Sequence, residues 1–216
     1  MTDSSQIACP RQGALVLGIG NVLWADEGFG VRAVEALHAA YALPESVQLL
    51  DGGTQGLNLL EPVVSHGAVL VLDAIDFGLE PGALRVLRDR EVPAWAGSKM
   101  SLHQQSFQEL LAVADLQGRF PPKLTLIGVQ PERLADFGGS LSDSVRQRLP
   151  LVVELAALEL ATWGFPVQQR TGAAPDRLNA EALALSEYEA GRPAATEACR
   201  IGDARFLNRR HDLESR

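Results

Sequence analysis

Two adjacent carboxylates, Asp26 and Glu27, stand in a glycine-rich loop that leaves a short apolar run, Leu15-Val16-Leu17, and runs through Gly18-Ile19-Gly20-Asn21 to Gly28 and Gly30. Glycines let a backbone turn sharply and approach a ligand closely. Neighbouring carboxylates in a tight loop are costly unless a cation, a proton or a partner uses them. Two more aspartates, Asp51 and Asp73, end later apolar runs, with Asp76 just beyond, and His103 stands at the start of a predicted helix. The partial positive charge of a helix N-terminus disfavours imidazolium and keeps His103 neutral, the form that ligates a metal. One imidazole with several carboxylates suits zinc or nickel, without the soft sulfur that would select more narrowly.

The elements that must position these groups alternate in type. Residues 14–18 read as a strand, and Val31, Val34, Leu37 and Tyr41 recur at helical spacing beyond the loop. A second strand over 47–50 is closed by Asp51-Gly52-Gly53-Thr54, and a helix over 56–64 follows. A third strand spans 68–72, and its unbroken apolar character suits a strand covered on both faces. Residues 83–88 alternate Leu84 and Val86 with Arg85 and Arg88, the pattern of an edge strand. Ser101 and Gln104 have the form of a capping box ahead of Phe107, Leu110, Leu111 and Ala114. A buried strand over 124–129 and a helix over 143–163 complete the series, with Ser142 as N-cap, a kink at Pro150 and Gly164 as the stop.

This alternation predicts an α/β fold: a single-domain three-layer sandwich, its mostly parallel twisted sheet carrying helices on both faces. The acidic residues and His103 then fall on one exposed rim, where loops leave the carboxyl ends of the strands. The domain is placed at residues 14–165, after an arm over 1–13. Residues 166–216 form a polar C-terminal tail with too little apolar content to offset ordering entropy, apart from a short helix over 179–189.

Composition narrows the class. The chain has 216 residues, of which 46% are hydrophobic, enough for a real core. Its net charge of −8, from 27 acidic against 19 basic side chains, disfavours a nucleic-acid partner. The two cysteines, Cys9 and Cys199, have neither metal nor redox spacing. No run approaches the roughly 18 to 20 apolar residues of a membrane span, and no signal-peptide core is found, so the expected location is the cytoplasm. A dinucleotide fingerprint fails because Leu23 stands where its third glycine belongs, and no His-Glu-x-x-His helix occurs. Neither cysteine, nor Ser101 or Ser106, makes a convincing nucleophile. His38, His66 and His211 read as solvated or locally bonded side chains. Trp24 reads as a loop anchor, and Trp95 offers a plausible substrate contact without support.

The ordered set of motifs resembles the hydrogenase maturation proteases, which trim the C-terminal tail of nickel-iron hydrogenase large subunits. The resemblance runs through Gly18-Ile19-Gly20-Asn21 with Asp26-Glu27-Gly28, Asp51-Gly52-Gly53-Thr54, Leu72-Asp73-Ala74, Ser101-Leu102-His103-Gln104 and the strand from Leu124 to Val129. It implies that Glu27, Asp73 and His103 contact a metal, with Asp51 beside them in a functional turn. The metal implied is the nickel already held by cysteines of the precursor, with zinc as another acceptable ion. The partner implied is the large-subunit precursor, cut near its C-terminus by a monomeric endopeptidase. Two chemistries stay open. In one, the metal polarises the scissile carbonyl or a water while Asp51 or Asp26 accepts the proton. In the other, the metal serves recognition only. A non-catalytic protein that checks nickel loading would use the same residues.

Overall fold

Apolar runs flanked by glycine and aspartate build the central sheet of the computed structural model, which describes residues 11–94, 102–172 and 175–191, with backbone alone for Leu102 and His103. In chain order the strands are β1 (Ala14–Ile19), β2 (Tyr41–Ala42), β3 (Val47–Gly53), β4 (Ala68–Ala74), β5 (Leu84–Arg88), β6 (Lys123–Val129) and β7 (Gln168–Gln169). The helices are α1 (Phe29–Ala40), α2 (Leu60–Ser65), α3 (Glu91–Ala94), α4 (Leu102–Leu116), α5 (Asp143–Arg146), α6 (Leu149–Thr162) and α7 (Leu185–Ala190). Expectations placed on Cys9, Trp95, Ser101, Cys199 and His211 lie outside the described residues.

The main sheet has the order β3-β1-β4-β6-β5. Its first four strands are parallel, and β5 runs antiparallel to β6 at the edge, as the alternation over 83–88 predicts. Side chains of alternate strand residues supply two cores. One holds Val16, Leu70 and Leu72 with Phe29, Val34 and Leu37 of α1 and Val152, Ala156 and Leu160 of α6. The other holds Leu15, Leu17, Val69 and Val71 with Val63 of α2 and Phe107, Leu110 and Leu111 of α4. Helices therefore cover both faces, and the three-layer α/β architecture is the one expected. No helix among the described residues is long and apolar enough to cross a membrane.

Several elements differ from the sequence reading. The helix over 143–163 is two helices, because the chain breaks at Gln147–Arg148. Pro150 then sits in the first turn of α6, where a missing N–H costs nothing. Gly164 does stop α6, with φ +93°. Tyr41 leaves the helical pattern for β2, which pairs with β7 across the chain. Through this pairing part of the polar segment beyond Pro166 lies on α1: Arg170 donates to the carbonyls of His38 and Ala40, and Asn179 donates to Glu35 at 2.9 Å.

The closest backbone approach lies at the start of α1. A Cβ at Gly30 would stand 2.1 Å from the Leu72 carbonyl oxygen and 2.3 Å from that of Ile19. Only glycine lets the helix rest directly on β1 and β4. Gly30→Ala is expected to destabilise the fold by about 3 kcal/mol, read as a lower midpoint in urea unfolding.

Candidate active site

Strand order reverses direction at β1, with β3 on one side and β4 on the other, so the crevice at the carboxyl ends of β1 and β4 is the topological switch point where ligands settle in such sheets. The loop after β1 enters it as a turn of 3-10 helix, Ala25–Gly28, which lies against β4. Gly20 shapes this entry. Its φ of +135° and a gap that would put a Cβ 1.8 Å from the Glu27 carbonyl oxygen both demand glycine. Asn21 N–H donates to that same carbonyl at 3.1 Å, and Glu27 N–H donates to Trp24 at 2.9 Å. Glu27 is thus held by its backbone at the mouth of the crevice, half-buried.

Asp73 is the penultimate residue of β4 and is only 2% exposed, so it is sunk below the rim rather than displayed on it. Its Oδ1 accepts the N–H of Ala74 at 2.7 Å, and its Oδ2 accepts from the Gln104 side-chain amide at 3.3 Å. The same amide donates to the Ala74 carbonyl at 2.8 Å. Gln104 therefore clasps the first turn of α4 onto the end of β4. His103 is the residue before it, and its imidazole lies outside the described side chains. Among the described residues no three His, Cys, Asp or Glu side chains gather as a metal-binding set.

Asp26 does not have the surroundings of a proton acceptor. It has no exposed surface, and both of its oxygens are engaged. Oδ2 accepts the N–H groups of Glu132 and Arg133 at 2.9 and 2.7 Å and the Ser142 hydroxyl at 2.9 Å, while Oδ1 accepts the Ser142 N–H at 2.7 Å. A carboxylate with four donors and no access is a structural anchor that ties the loop after β1 to the loop after β6. Ser142 was missed as its partner because a serine ahead of a helix looks like an N-cap, whereas its hydroxyl makes no capping bond.

Asp51 shares the rim but faces the other way. It alternates with Val47 and Leu49, which pack on the α1 side, whereas Asp73 alternates with Val69 and Val71 on the α4 side. The two carboxylates therefore project from opposite faces of the sheet. Burial pushes the Asp51 carboxyl above the ordinary aspartate range, opposed by bonds from the Gly53 N–H, at 2.9 Å, and from the Asn179 side chain. Glu35 pushes the same way as burial, and Arg32 opposes it. The contact with Asn179 has no local sequence signal, since that residue lies in the polar C-terminal segment.

Trp24 is an anchor with an open face. Its backbone bridges Phe137, the two rings meet edge-on at 5.3 Å, and they remain 36% and 49% exposed.

Comparison with known proteins accords with this geometry. The family described as hydrogenase maturation protease matches residues 31–159. The chain is 53% identical over 194 residues to hydrogenase expression/formation protein HoxM of Azotobacter vinelandii, covering 89% of this chain and 93% of that one. It is 52% identical over 194 residues to HupD of Rhodobacter capsulatus, covering 89% and 92%. The solved hydrogenase maturating endopeptidase HybD from E. coli superimposes with a TM-score of 0.70 at 40% identity, covering 73% of this chain and 98% of HybD. The chain belongs to the hydrogenase maturation protease family.

The two aspartates outside the crevice are expected to respond oppositely to amidation. Asp26→Asn turns an amide against donors and should cost about 2 to 3 kcal/mol, seen as a lower melting temperature. Asp51→Asn removes a desolvated charge. Because the folded carboxyl titrates above its unfolded value, the ionised group weakens the fold at neutral pH, and that penalty is absent below about pH 3.9. Asp51→Asn should therefore melt at or above the wild-type temperature at pH 7, with the difference vanishing in acid.

Proposed function

We propose that this member of the hydrogenase maturation protease family removes the C-terminal extension of a nickel-iron hydrogenase large-subunit precursor, and that it reads the precursor's nickel through Glu27, Asp73 and His103. The observation that carries this reading is the Gln104 clasp. It docks the first turn of α4, which bears His103, onto the carboxylate of Asp73 at the switch-point crevice. Glu27 enters the same crevice from the loop after β1. Two carboxylates and one imidazole make an incomplete shell, which suits an ion that arrives already held by the substrate's own thiolates. Nickel is then cargo of the substrate, and zinc in its place would test how closely the shell discriminates.

Asp51 is the proton acceptor of this reading. Its raised pKa brings it nearer to the working range of a general base than an ordinary aspartate, and the rim leaves it within reach of a chain laid across the sheet's end. Asp51 accepts a proton from water as the water oxygen bonds to the scissile carbonyl carbon; the C–N bond then breaks and Asp51 returns that proton to the leaving amine, which restores its carboxylate. In this reading the protease acts as a monomer in the cytoplasm.

The test is cleavage of nickel-loaded precursor followed by product size. Wild-type protein should shorten it, and nickel-free precursor should stay intact. Glu27→Gln, Asp73→Asn and His103→Ala should each slow processing by roughly a hundredfold or more while keeping the wild-type far-UV circular dichroism. Binding of loaded precursor with no shortened product would establish a nickel-checking protein instead. Full processing by all three variants would remove the metal-reading role.

A further inference from the structure

Asn179 carries the polar C-terminal segment to the rim. The segment is pinned to α1 on both sides of this residue: His38 Nε2 donates to the Asp176 carbonyl at 2.8 Å, and Arg32 Nη1 donates to the Leu183 carbonyl. Farther along, the Tyr188 hydroxyl donates to the Gly139 carbonyl at 3.3 Å, and Arg146 pairs with Glu189. Asn179 is thereby seated, half-buried, beside α1.

A side-chain amide has two N–H groups on one nitrogen. In Asn179 that nitrogen donates to Oε1 of Glu35 at 2.9 Å, and the side chain also hydrogen-bonds the Asp51 carboxyl. Glu35 is fixed in turn, because its Oε2 accepts from Arg32 at 2.9 Å. The Gly53 N–H holds Oδ1 of Asp51 at 2.9 Å from within the same turn. The carboxylate is thus gripped once by its own turn and once by a residue from far along the chain.

A neutral donor suits this place. Burial pushes the Asp51 carboxyl up, Glu35 on α1 adds to that, and Arg32 on α1 opposes it. In the segment itself Asp176 and Arg177 are exposed, and Arg177 pairs with Glu181 at 3.7 Å. A further cation at position 179 would hold the carboxylate but lower its basicity, whereas an amide fixes it and adds no charge. Glu35 and Asp51 are also like charges, and one amide nitrogen offers a hydrogen to each.

We propose that Asn179 is a positioning residue for Asp51, a side chain of the C-terminal segment that holds the carboxylate in one orientation at the rim. The inference rests on the reading of Asp51 as proton acceptor for its bearing on the reaction.

Asn179→Ala and Asn179→Lys test it from opposite sides. Loss of the donor raises the Asp51 pKa, and a cation lowers it. In full-length protein with isotope-labelled aspartate carboxyls, the Asp51 titration midpoint should move to higher pH in Asn179→Ala and to lower pH in Asn179→Lys. The acid limb of kcat/KM for nickel-loaded precursor should move the same way in each variant. A side chain that only ties the segment to Glu35 would alter the melting temperature and leave both pH readings at their wild-type positions. Asp51 midpoints that stay at the wild-type value in both variants overturn the proposal while the protease reading stands. Midpoints that move under an unshifted acid limb remove the acceptor role of Asp51 and keep its positioning by Asn179. If wild-type protein leaves loaded precursor uncut, the protease reading falls, and the carboxyl titration by itself upholds or overturns the positioning.

Discussion

The carboxylate of Asp26 is the fastening on which the rim depends. It gathers donors from Glu132, Arg133 and Ser142, more than a hundred residues away in sequence, into one buried knot. Backbone bonds from Gly20 to Gly53 and from Gly138 to Leu23, and the bridge from Trp24 to Phe137, hold the rest of the glycine-rich loop after β1. With the knot closed, the 3-10 turn is pinned from below and Glu27 is presented at a set height beside β4. The neighbouring acids therefore divide labour by burial. The inaccessible one holds the loop, and its half-buried neighbour keeps exposed surface in the turn against β4.

Much of the architecture was legible because its signals are local. Largely apolar runs over 14–18, 68–72 and 124–129 announce covered parallel strands, and the charged alternation of Leu84–Arg88 announces an edge. The rim itself follows from strand direction alone. What stayed hidden depends on long-range pairing. Nothing near Gln104 says that its amide will cross to Asp73, and nothing near Ser142 says that its hydroxyl will seek Asp26. The opposed facing of Asp51 and Asp73 was available in principle from the two-residue period of a strand, counted back to Leu49 and Val71. It was obscured because both residues end apolar runs and so look equivalent.

The sheet thus separates two environments at one rim. On the α4 side lie Asp73 and the turn bearing His103, and on the α1 side lies Asp51 among Arg32, Glu35 and Asn179. The polar C-terminal segment belongs to the second environment. It docks through β7, through Asn179, and through ion pairing of Arg146 with Glu189. Its low apolar content does not prevent seating, because hydrogen bonds and the Arg32–Tyr188 stack supply contacts that a hydropathy reading does not weigh.

Trp24 has a consequence of a different kind. Its indole is rigidly based, through the bridge to Phe137, yet partly wetted, and it stands three residues from Glu27. Indole emission shifts to the blue when water is stripped from the ring. The lip of the crevice therefore carries its own optical gauge, which registers whether a visiting surface has closed over it without any label being attached.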